Sequence, residues 1–154
     1  MKIAEHLAKA KRFEALRARL DPVVDFELWF WMGLSAGTAL INAALHASGI
    51  TDESDRFATQ VPDVYAVPDG SGWRPEIAFR CDLIHAGLPA LETVLPPTIS
   101  RAFEAMEVIE HYRDPCVRGD HLVTEELISR LATAYERCAG AAREAIGSGS
   151  GGPP

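Results

Sequence analysis

The sequence predicts an all-α fold: a single-domain antiparallel helical bundle of four to five main helices with a long irregular crossover at about 60–75. Three observations predict it. Residues 28–47, LWFWMGLSAGTALINAALHA, contain no Asp, Glu, Lys or Arg. A helix apolar around its whole circumference belongs at the centre of a bundle or in a bilayer. The flanking segments repeat apolar residues at steps of three and four, and no stretch alternates convincingly as a strand. With 154 residues, 47% of them hydrophobic, the chain is long enough to bury one core without staples.

Helix one is expected over about Lys2–Leu20, where Ile3, Leu7, Ala10, Phe13, Leu16 and Leu20 form one stripe. Asp21 and Pro22 read as an N-cap and a first-turn proline, so helix two should run from Pro22 to about Ser48 and stop at Gly49. Gly33 and Gly37 on that helix are a small-xxx-small pair that lets a neighbour approach closely. Thr51 is a candidate cap for a short helix reaching about Gln60. Pro62, Pro68, Asp69, Gly70, Gly72 and Pro75 then break the chain up to residue 75. Pro75 can open a third helix with Ile77, Cys81, Ile84 and Leu88 on one side. A fourth follows Pro96 and Pro97, with Ile99, Ala102, Phe103, Met106 and Ile109 facing inward. Thr124 caps the last, whose buried face is Leu127, Leu131, Ala134, Cys138, Ala141 and Ala145. The domain is therefore 1–146, and 147–154, rich in Gly, Ser and Pro, is expected to be disordered.

Composition and charge narrow the function. The chain carries a net −7, although residues 1–20 hold six cations against two carboxylates, a local +4. An acidic body is a poor magnet for phosphate backbones, so net charge disfavours RNA. Ser35, Thr38, Asn42, His46 and five alanines dilute residues 28–47, and no basic cluster flanks them, which argues against a membrane span. The three cysteines, Cys81, Cys116 and Cys138, have no CxxC spacing and suggest neither a disulfide framework nor zinc, so a reducing cytoplasm is the expected location.

The candidate chemical groups are sparse. Glu104, Glu107, Glu110 and His111 invite a di-iron reading, but Glu104, Glu107 and His111 fall opposite the apolar stripe and no Glu-x-x-His pair occurs. No metal and no cofactor are expected. His46, near Asn42, reads as a hydrogen-bonded histidine at the end of a core helix, and Cys81 as packing. The aromatic group Phe26, Trp29, Phe30 and Trp31 covers more than one side of helix two, so Trp29, Phe30 and Trp31 are candidates for an interface between two copies of the chain. Arg113, Asp114, Arg118, Asp120 and His121 form a polar turn, with Arg113, Asp114, Arg118 and His121 as a candidate binding set.

Residues 77–87, IAFRCDLIHAG, resemble the Arg-x4-His element of the HEPN superfamily (higher eukaryotes and prokaryotes nucleotide-binding). The stretch YRDPCVRGDHLVTEELISRLATAYERC resembles the way those bundles enter their final helix. The resemblance implies a small helical bundle, dimeric as a rule. Inactive members bind a protein or nucleotide partner, and active members cleave RNA without metal. Carried over by position, Arg80 would steady the scissile phosphate and His85 would act as general acid or base. A non-catalytic dimeric module is the reading that needs fewest assumptions, and a divergent ribonuclease using Arg80 and His85 is its alternative.

Overall fold

The computed structural model describes residues 1–59, 61, 64–77, 81–84, 86 and 93–149. The described residues form four helices, α1 (Ile3–Arg17), α2 (Phe26–Ala47), α3 (Pro97–Val117) and α4 (Glu125–Gly149), and α2 touches each of the other three. Between α2 and α3 lie three short strands, β1 (Phe57–Ala58), β2 (Val64–Asp69) and β3 (Gly72–Ile77), forming an antiparallel sheet in the order β1-β2-β3. The all-α expectation is thereby corrected to a mixed fold, a helical bundle carrying a small sheet.

The sheet forms where proline and glycine suggest only breaks. Asp69 pairs with Gly72 across the two-residue turn Gly70-Ser71, and Gly70 takes φ 59°, the positive φ such a hairpin turn needs at its first position. Pro75 lies on β3, which among the described residues is an edge strand with no neighbour on its outer side. Pro68 lies in β2 beyond Tyr65 and Ala66, the two residues that β1 pairs. Both prolines therefore sit where a strand can do without one ladder donor. The third helix expected from Pro75 is also corrected: residues 75–77 are strand, and 81–84 are not helical. A short helix after Thr51 does not form either. The segment runs irregularly into β1, and Thr51 is buried.

The hub assignment holds in detail. Phe30, Leu40, Ile41 and Leu45 of α2 are among the largest fully buried side chains, together with Ile99, Met106, Leu131 and Cys138 from α3 and α4. By length and composition α2 could cross a bilayer, yet 72% of its apolar window is buried within the fold. Asp21 Oδ1 accepts from the backbone N–H groups of Val23 and Val24, which spends residues 22–25 on a capped turn and starts α2 at Phe26. Gly49 ends the helix at φ 67°. At the start of α4 Thr124 Oγ1 accepts from Leu127 N (3.2 Å). That helix runs to Gly149, past the start expected for the disordered tail, while 150–154 lie outside the described residues.

At the far end of α1, the Arg17 guanidinium is stacked between the rings of Trp29 (4.0 Å) and Tyr135 (4.6 Å). The Tyr135 hydroxyl and Arg143 both donate to Glu14. Burial, partly opposed by Tyr135, Glu136 and Glu14, lowers the Arg17 pKa from its usual value. This cluster ties α1, α2 and α4 together.

Candidate metal centre

Because α1 and α2 are antiparallel, the start of α1 lies beside the end of α2. His6, in the second turn of α1, is thereby brought against His46, in the last turn of α2, with ring centroids 5.3 Å apart. Asp82 joins them from the segment after β3. Its Oδ1 accepts from Nε2 of His46 (2.8 Å) and Nε2 of His6 (3.1 Å), while Oδ2 accepts from the Met1 amino group (2.7 Å). All three side chains are buried.

Several contacts hold Asp82 in place. The Asn42 side chain, one helical turn before His46, donates to Leu83 O (2.8 Å) and accepts from Leu83 N (2.7 Å), so it reads the neighbouring peptide as a strand would. The Tyr65 hydroxyl donates to the backbone oxygen of Asp82 (3.1 Å). Beyond the reversal at Gly49, Thr51 Oγ1 lies 2.8 Å from His46 Nδ1. Burial pushes the Asp82 carboxyl upward, but hydrogen bonds from His46, His6 and the amino group, with the charge of His6, outweigh it and hold the pKa well below the usual carboxylate range. Asp82 is therefore an acceptor-only carboxylate at neutral pH. The two imidazoles must then present Nε2–H to it, and Nδ1 of His46 faces the Thr51 hydroxyl. His6 Nδ1 is buried and has no hydrogen-bond partner among the described residues.

One ligand atom from each of His6, His46 and Asp82 lies within 4.8 Å of the other two. Two imidazole nitrogens and a carboxylate oxygen suit a divalent first-row metal. Three protein ligands, rather than four, leave positions open to a small molecule. Next to the trio lies a cavity of about 380 Å³ between α1, α2, β1 and residues 82–84.

Arg80 and His85 lie outside the described residues. Trp29 and Phe30 are buried in the chain's own core, and half-buried Trp31 lines the cavity. Arg113 pairs with Glu110 (2.9 Å) and Asp114 (3.2 Å), and Arg118 with Asp114 (3.4 Å), at the end of α3; the His121 ring lies tilted against Tyr112, centroids 5.9 Å apart. These are local charge pairs on the surface, remote in sequence from the trio. Glu104, Glu107 and His111 are exposed. Cys138 is buried, which pushes its thiol up to about 12 and leaves it a packing group.

Sequence reasoning singled out His46 and Asn42 but passed over His6 and Asp82. One signal was present: His6 sits on the apolar stripe of α1, three residues after Ile3 and four before Ala10. A polar ring on a core-facing stripe needs a buried partner. Asp82 has no comparable periodic signature. No protein family, curated protein or solved structure matches this chain.

Proposed function

We propose that this protein is a mononuclear metalloprotein in which His6, His46 and Asp82 hold a divalent cation at the wall of the α1/α2 cavity, with open coordination positions for a small molecule. The observation that carries this reading is the convergence of the three ligand atoms within 4.8 Å beside a cavity large enough for a ligand. Thr51 supports it. With His46 holding a metal through Nε2, its Nδ1 would carry the proton, and the Thr51 hydroxyl, 2.8 Å away, would accept it as an outer partner.

The test is a titration of untagged protein with Co²⁺, followed by visible absorption and by displacement with Zn²⁺. One equivalent is expected to bind, and His46→Ala is expected to weaken binding at least about tenfold, in the range seen even for outer-shell changes. Absence of stoichiometric binding, or equal binding by His6→Ala, His46→Ala and the parent, would reduce the trio to a hydrogen-bonded staple.

A second reading, the dimeric partner-binding module of HEPN-like type, is favoured by one observation. Leu16, Val23, Val24 and Leu28 are exposed where α1 meets α2, and Val24 is 81% exposed. A second copy of the chain burying this corner would run in light scattering at about twice 16.7 kDa, and Val24→Glu with Leu28→Glu would return it to one. A parent protein of monomer mass at micromolar concentration would remove this reading. The ribonuclease alternative rests on Arg80 and His85 and gains no support from the described residues.

A further inference from the structure

We infer that the α1/α2 cavity takes a small organic anion with an apolar body, such as a monocarboxylate, whose charged end is drawn by Lys9 and whose body lies against Trp31, Leu34 and Phe57. The inference deepens the metal-centre reading and rests on it for the second anchor at the wall of the cavity.

Charge carries the argument. The chain as a whole is acidic at −7, yet Asp82 is the one carboxylate on the described lining, and its two oxygens are already taken by two imidazoles and an amino group. Lys9 lines the same cavity. Among the described residues it is paired with no carboxylate; its ammonium lies only over the Phe13 ring, 5.9 Å from the centroid. An ammonium on a half-buried side chain beside low-dielectric walls attracts a negative ligand more strongly than one in open water. A divalent cation held by two neutral imidazoles and one carboxylate would add a further net positive charge.

The other polar groups define the shape of the ligand. The Asn42 amide is spent on Leu83, and the Thr38 hydroxyl on Leu34 O (2.9 Å), so neither reads a ligand in this arrangement. Ser35 makes no such bond and is the one hydroxyl on the described lining free to turn toward a guest. With the Met1 ammonium paired to Asp82, walls of Trp31, Leu34 and Phe57 that offer Lys9 and one hydroxyl select a compact ligand charged at one end. They do not suit a sugar or a polyphosphate, which needs many donors.

The experiment measures binding of benzoate, and of uncharged benzyl alcohol, to the full chain by calorimetry, first without added metal and then with Zn²⁺. Benzoate is expected to bind in both conditions, benzyl alcohol about tenfold more weakly, and Lys9→Met to lower benzoate affinity about tenfold while leaving benzyl alcohol unchanged. Circular dichroism of Lys9→Met checks that the variant is folded. No benzoate binding, equal affinity for the two compounds, or an unchanged Lys9→Met would overturn the inference. The two readings separate cleanly: Lys9-dependent benzoate binding without any uptake of Zn²⁺ removes the metal centre and keeps the anion site, and the reverse pattern removes the anion site alone.

Discussion

Replacing Asp82 with Asn is expected to cost about 3 kcal/mol of folding stability, because removing one partner of a buried charge network leaves the rest unpaired. The isosteric amide can keep its oxygen toward His6 and His46, but its NH₂ then faces the Met1 amino group, a donor against a donor. Turning the amide over faces two N–H groups instead. At about 2–4 °C per kcal/mol for a chain of this size, the melting temperature should fall by roughly 6–12 °C. The effect must also depend on pH in one direction. Asp82 has a folded pKa held below its unfolded value, so its contribution is fully present above about pH 4 and is lost as pH falls through the folded pKa. The stability gap between parent and Asp82→Asn should be complete at pH 5 and should close as acid is added below about pH 4. Urea denaturation at a series of pH values measures this. A gap that is absent at pH 5, or that persists undiminished at pH 2, would show that Asp82 is not the ionised centre of the network.

That network explains both how far the sequence could be read and where reading stopped. The buried helix, the stop at Gly49, the Thr124 cap and the inward faces of α3 and α4 are local or periodic features, and each appears in the structure close to its expected place. The segment from Thr51 to Ile84 is different because its structure is set by long-range partners. Thr51 turns to His46 rather than capping a helix, and Asp82 is fixed by groups 17 to 81 residues away. Ile77, Cys81 and Ile84 have helical spacing, yet Ile77 is 71% exposed at the end of β3 whereas Cys81 is buried under the sheet. So few apolar positions cannot separate a helix from a strand followed by a loop. The hairpin was legible in principle from Asp69-Gly70 between two β-rich runs, but Pro68 and Pro75 spoke against a central strand, and what reconciles them is that the end of β2 at Pro68 and the whole of β3 are paired on one side only among the described residues.

The small residues of α2 set how closely its neighbours approach it. Gly37 is the tightest point. A Cβ added there runs into Met106 Cε of α3 and comes within 3.5 Å of Cys138 Sγ of α4. Met106 is fully buried, so its terminal methyl has no solvent to move into. Gly37→Leu is therefore expected to destabilise by about 3 kcal/mol or more, overpacking that outweighs the ~1 kcal/mol a helix gains on losing a glycine. Gly33 provides the contrast on the same face. There the nearest atom is Arg17 Nε at 3.1 Å, part of a long side chain, and Gly33→Ala should be far milder. If the Gly37 effect is the collision with Met106 and not a general intolerance of the helix, the two sites must be coupled. Met106→Ala alone should cost about 2–5 kcal/mol. Combined with Gly37→Ala it should cost less than the two single changes added together, by about 1 kcal/mol, because the new methyl occupies space that the shortened side chain vacates. Additivity to within about 0.5 kcal/mol in such a double-mutant cycle would mean that α2 and α3 are free to separate at this point, and that their spacing is set elsewhere.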